Sequence, residues 1–115
     1  MVTLHDVRAL ALMLPRTTEA FVRGRVKFRV GRIVYAAFSK DETLMGFAFP
    51  KEQREWLVGS EPDTFLMPRE SDLRYNWVVV RLGAIDHEEM RGLVIDAWAM
   101  VVPKRVSAPF AEPAP

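Results

Sequence analysis

Two β-rich runs joined by a glycine-led pair constrain this chain more than any other feature. Arg25-Val26-Lys27-Phe28-Arg29-Val30 leads through Gly31-Arg32 into Ile33-Val34-Tyr35-Ala36-Ala37-Phe38. Glycine readily takes the positive φ that a type II′ turn needs at its first central position, so this pattern predicts a tight hairpin. The polar break Ser39-Lys40-Asp41-Glu42 then leads into Thr43-Leu44-Met45-Gly46-Phe47-Ala48-Phe49, which predicts a second hairpin and a three-stranded meander. In a regular two-residue hairpin Val30 opposes Ile33, Phe28 opposes Tyr35 and Val26 opposes Ala37, so these six residues share one face. Arg25, Lys27 and Arg29 fall on the other face beside Val34, Ala36 and Phe38. That second face is mixed: either another element covers part of it, or the register departs from the regular one.

The flanking segments supply helices. Thr3 and Asp6 have capping-box spacing, and Leu4, Val7, Leu10, Ala11 and Leu14 recur at helical intervals, which predicts a helix over 3–14 that Pro15 stops. Residues 15–24 read as a connection. Pro50 opens a second helix through Val58, with Gly59 as its stop and with Trp56 and Leu57 turned to the core. Thr64-Phe65-Leu66-Met67 reads as a short strand between Pro62 and Pro68, and Arg69–Arg74 as a charged loop. Trp77-Val78-Val79-Val80-Arg81-Leu82 is β-branched and continuously apolar through Val80, the pattern of a strand inside the sheet. Asp86 is a good N-cap for a closing helix, with Glu89 three residues on. Met90, Leu93, Val94, Ala97, Trp98 and Val101 form its apolar stripe, and Pro103 ends it. The expected fold is thus α+β: one domain over residues 1–105 in the order α-β-β-β-α-β-β-α. It has an antiparallel five-stranded sheet with helices chiefly on one face. Residues 106–115, rich in proline and alanine, read as a disordered tail.

A chain of 115 residues is one domain on size alone and can build a core without metal or disulfide help. It contains no cysteine, which excludes disulfides, thiolate metal sites and a cysteine nucleophile, and which fits the reducing cytoplasm. No apolar run approaches the ~18 residues of a membrane span. The net charge of +1 conceals an asymmetry: residues 16–32 hold six basic side chains against one acid, Glu19, while the rest of the chain holds ten basic and fourteen acidic ones. Segregated charge of this kind can steer an anionic partner even when net charge cannot.

Enzymatic chemistry finds little support. Glu88 and Glu89 are adjacent, so on a helix they point about 100° apart and act as a cap rather than a carboxylate pair. His5 and His87 lack spaced co-ligands for a metal. The serines carry no nucleophile-elbow pattern, and Gly83 and Gly92 lack phosphate-loop spacing. Trp56, Trp77 and Trp98 could stack on bases, yet each sits in an apolar pattern that reads as core. No catalytic residue, cofactor site or metal site is predicted. The residues placed to bind nucleic acid are Arg25, Lys27, Arg29 and Arg32, with Lys51 and Arg54 on one face of the second helix as additions.

The order of elements, together with Leu14-Pro15 after the first helix, Val26-Lys27-Phe28-Arg29-Val30-Gly31-Arg32 into Ile33-Val34-Tyr35-Ala36, Trp77-Val78 and the closing helix from Asp86 to Val102, resembles the MmcQ/YjbR-like family. The resemblance spans about residues 4–104. It implies a compact α+β fold related in architecture to type III secretion chaperones, and small bacterial cytoplasmic proteins labelled DNA-binding, without enzymatic activity or cofactor. The leading expectation is a non-enzymatic protein that binds double-stranded DNA with low sequence specificity through backbone phosphates. The alternative is a protein-interaction module, chaperone-like or homodimeric, that uses the mixed sheet face.

Overall fold

The computed structural model describes residues 1–110. Among these residues six antiparallel strands, one more than expected, form a single sheet in the order β1-β2-β3-β4-β6-β5, where β1 is Thr17–Val22, β2 Arg25–Val30, β3 Ile33–Phe38, β4 Leu44–Ala48, β5 Phe65–Leu66 and β6 Trp77–Arg81. The predicted meander is β2, β3 and β4. Gly31 has φ 60° in the two-residue turn between Val30 and Ile33, as the hairpin required.

The additional strand, β1, occupies the segment expected to be a connection. It pairs along its whole length with β2, from Thr17 opposite Val30 to Val22 opposite Arg25. Arg23 and Gly24 close that hairpin with φ 54° and 79°, the two left-handed residues of a type I′ turn. β1 is an edge strand whose pattern of burial shows no alternation. Backbone pairing holds it, not a buried stripe, and sequence periodicity therefore passes over it.

One extra residue in β3 sets the faces of the sheet. Lys27 opposes Ala37 and Phe28 opposes Ala36, but Arg29 opposes Val34, so Tyr35 is a β-bulge. The regular register expected from the sequence holds at Val30 and Ile33 and fails beyond the bulge. Ala36 and Phe38 point into the core, and Ala37 moves to the opposite face. Tyr35 is itself fully buried, and its hydroxyl lies 2.9 Å from the Thr17 hydroxyl, tying β3 to the edge strand. The register shift thus takes Ala36 and Phe38 off the mixed face, while Val34 stays there beside Arg29 and Ala37 joins it.

The helices lie chiefly on the inner face of the sheet. α1 (Leu4–Ala11) begins with the predicted capping box: the Thr3 hydroxyl accepts from the Asp6 amide while the Asp6 carboxylate accepts from the Thr3 amide. It ends earlier than expected and passes through a turn at residues 12–14. α3 (His87–Ala99) is N-capped by Asp86, whose carboxylate accepts from the Glu89 amide at 2.8 Å. Its stripe Met90, Val94, Ala97 and Trp98 is buried against β3, β4 and α1. The Trp98 indole N–H donates to the Pro15 carbonyl at 2.8 Å, which pins the segment after α1 to α3.

α2 (Lys51–Ser60) packs at the β5–β6 end of the sheet through Leu57. Trp56 is 74% exposed, so it does not anchor the helix as its neighbour does. Gly59 does not end the helix, which runs on to Ser60.

Residues 106–110 also differ from expectation. α4 (Lys104–Ser107) and a following 3-10 turn, Ala108–Phe110, pack back on α3, where the Phe110 ring meets Trp98 edge to face at 5.0 Å. A composition rich in proline and alanine hid one aromatic with a surface to bury. Residues 111–115 of the expected tail lie outside the described residues.

Candidate nucleic-acid interface

Antiparallel partners point their side chains the same way, so the register identifies what lines the outer face of the sheet. Across its middle run Ala20, Lys27, Ala37, Gly46, Val79 and Leu66. On one side of this row lie Val22, Arg25, Leu44 and Arg81, and on the other Thr18, Arg29, Val34, Ala48 and Trp77. The cations Arg25, Lys27 and Arg29 therefore share the outer face of β2 as predicted. Successive ones are ~7 Å apart along the strand. Arg32 extends the group from the β2–β3 turn, and Arg16 and Arg23 flank β1.

Ion pairs leave this group untouched. Among the described residues the salt bridges are Arg8 to Glu19 at 2.9 Å, Arg69 to Asp72 at 3.5 Å and His87 to Asp6 at 3.3 Å. The single acid of the basic segment, Glu19, is engaged by Arg8 on the inner side of β1, and this contact holds the Arg8 guanidinium more firmly protonated than usual. The positive charge of β2 is consequently not neutralised by a neighbouring carboxylate.

The two additions on α2 separate. Lys51 is exposed, and its ammonium reaches the Arg74 carbonyl at 3.3 Å. Arg54 is 6% exposed and faces inward. Its guanidinium donates to the carbonyls of Leu73, Tyr75 and Trp77 at 2.8, 3.1 and 2.9 Å. Arg54 therefore has no free fork for a phosphate, and its predicted role in nucleic-acid binding is corrected to a structural one. It pins the segment 73–77, while the Asn76 side-chain carbonyl accepts from the Lys51 amide and caps α2 from across the chain.

That pinned segment forms the wall of a groove of about 970 Å³ over the outer face. Its floor is Ala37, Gly46, Ala48 and Val79, with Arg25 and Lys27 on one side and Tyr75 and Trp77 on the other. The Trp77 indole lies over Gly46, where a Cβ would sit 2.7 Å from Cε2, so only glycine allows this placement. Tyr75 is 52% exposed, with the Arg74 guanidinium 4.8 Å from its ring centroid. Of the three tryptophans, Trp98 alone is a fully buried core residue. Sequence reading missed Arg81, Tyr75 and the groove position of Trp77. Strand alternation signalled Arg81, but only the β4–β6 register shows that it shares a face with β2. Among the described residues no group of three or more histidines, aspartates and glutamates is placed to hold a metal, and no helix is long and apolar enough to cross a membrane.

A protein-family model described as YjbR matches residues 12–100. No curated protein matches the chain. Among solved structures, the chain resembles the crystal structure of Deinococcus radiodurans protein DR2400, described with the family-model domain DUF419. The TM-score is 0.77 at 22% identity, over 98% of this chain and 91% of that one. At that identity the likeness speaks for the fold. It spans the basic hairpin, the groove and the closing helix alike.

Proposed function

This chain belongs to the YjbR family, and from that premise we propose that it is a non-enzymatic protein that binds double-stranded DNA through backbone phosphates. The observation that carries the proposal is the row Arg25, Lys27 and Arg29 with Arg32, four cations on one surface without an ion-pair partner among the described residues. Arginine forks suit phosphate oxygens, and contacts made from a strand to the backbone position a duplex without reading its sequence. Lys51 is an exposed addition. A cysteine-free chain suits the bacterial cytoplasm, where such DNA is accessible.

The test is the salt dependence of duplex binding. With three to five phosphates neutralised, the log–log slope of affinity against salt should be roughly −3 to −5. A scrambled duplex should bind equally well. Absence of binding at low salt, where weak electrostatic association is strongest, would eliminate the proposal. A protein partner or second copy is the alternative, favoured by the free edge of β1 and by Phe21 on it, which is 72% exposed. A sedimentation series showing self-association without DNA binding would put that reading first.

A further inference from the structure

The groove beside the basic strand has a composition that phosphate contact alone does not use. One side carries Arg25 and Lys27, the other Tyr75 and Trp77 with the Arg69–Asp72 ion pair, and the floor between them is Ala37, Gly46, Ala48 and Val79. Ala37 reaches that floor only because of the bulge at Tyr35, and Gly46 is required by the indole above it. These two features set small residues beside and beneath an aromatic side chain. The groove's lining residues also carry hydrogen-bond donors: the Trp77 indole nitrogen lies over Gly46 with no hydrogen-bond partner among the described residues, and the Asn76 side chain uses only its carbonyl, which leaves its amide hydrogens free. At about 970 Å³ the groove is at the upper end of the ~300–1,000 Å³ of ligand pockets.

We propose that this groove holds an unpaired nucleobase, stacked against Trp77 with Tyr75 beside it, of a strand whose phosphates lie on Arg25 and Lys27. The inference rests on the phosphate reading above and extends it from duplex to single-stranded or locally opened DNA. β2 and β6 are separated by three strand spacings, roughly 14 Å. The indole covers Gly46 of β4, and Ala37 of β3 lies between it and Lys27 of β2. An acyl chain would satisfy the apolar floor but would leave the indole N–H and the Asn76 amide without acceptors. A base edge offers carbonyl and ring-nitrogen acceptors to both, and every base has a face to stack. Unneutralised cations at one end and donors at the other match the polarity of a nucleotide.

The experiment compares a labelled oligothymidine strand, an abasic strand of the same length and a duplex by fluorescence anisotropy at one low salt concentration. The abasic strand keeps the phosphates and loses the bases. The intact strand should bind about five- to 150-fold more tightly than the abasic one, the span expected for one stacked base. Trp77→Leu should abolish that difference and leave duplex affinity and its salt slope unchanged. Ala37→Phe, which fills the floor beside the indole and keeps Trp77 itself, should do the same, so the test survives if the first variant folds poorly. Equal binding of intact and abasic strands overturns the proposal while leaving the phosphate reading intact. So does a difference that both variants preserve, or displacement of the intact strand by laurate at lower concentration than by thymidine monophosphate. Failure of every DNA to bind removes the phosphate reading and this proposal together.

Discussion

Arg54 shows how far a single residue can depart from what its type suggests. An arginine in a short helix with Lys51 one turn away reads as solvent-facing. Here three carbonyls from a segment 19 to 23 residues later in the chain converge on its guanidinium, and its Nε is the one buried side-chain polar atom without a partner among the described residues. Nothing within the helix announces those acceptors, because they are assembled by the β5–β6 loop. Among the described residues no carboxylate pairs with the guanidinium, so the site depends on the carbonyl fork being complete. Arg54→Met should therefore lower stability by at least ~1.5–3 kcal/mol, the worth of one hydrogen bond to a charged group. Arg54→Lys should recover only part of the loss, since an ammonium cannot span three separated carbonyls. Urea midpoints of the three proteins decide this. A methionine variant as stable as the parent would mean that water serves the carbonyls equally well. In a folded lysine variant duplex affinity should be unchanged, because Arg54 is not a phosphate contact.

At the scale of elements, the meander, α1 and α3 were legible because each announces itself locally. The Gly31 turn, the Thr3–Asp6 capping box and the Asp86 cap are all short-range chemistry, and the stripe of α3 has the period of its helix. β1 and the segment 104–110 were not legible, for a shared physical reason. Each is held by a surface formed elsewhere, β1 by the free edge of β2 and Phe110 by the Trp98 ring. The bulge at Tyr35 belongs with them: alternation assumes a regular register, and one inserted residue reverses every side chain beyond it. The position of the cations survived because they lie on β2, the strand without the extra residue. The closing segment yields a prediction. An aromatic pair contributes ~0.5–1.5 kcal/mol beyond area burial, and burying a Phe side chain completely is worth ~1.5–3 kcal/mol. Phe110 is only partly buried. Truncation after Arg105 should then cost about 1–3 kcal/mol, read as a lower thermal midpoint. Phe110→Ala in the full chain should reproduce most of the loss. A midpoint unmoved by either change would show that the ring contact contributes nothing in solution.

For the whole molecule, the relevant quantity is where charge sits and not how much there is. The protein measures 37 × 32 × 30 Å, about three Debye lengths across at the ~10 Å of 0.1 M salt. The exposed acids of α3, Asp86, Glu88 and Glu89, are carried by a helix packed on the inner face of the sheet, while the cation row lies on the outer face. The acids and the cation row lie on opposite sides of the sheet, and salt screens what lies beyond about one Debye length, so a net charge of +1 does not prevent a locally positive field at β2. Two double variants separate location from amount. Arg29→Ala with Arg32→Ala removes two cations from the outer face, and Lys104→Ala with Arg105→Ala removes two from α4, which packs on α3. Both leave the same net charge. The first should reduce the salt slope of duplex binding by about two units, close to ~0.9 per lost phosphate contact, and should weaken all sequences alike. The second should leave the slope unchanged. The four side chains are exposed, so circular dichroism and thermal midpoints of both proteins should stay near the parent. Equal losses in the two variants would mean that binding follows net charge and that the row on β2 has no special place in it. A loss confined to the first would locate the phosphate track on the outer face, beside the groove formed by Ala37, Gly46 and Trp77.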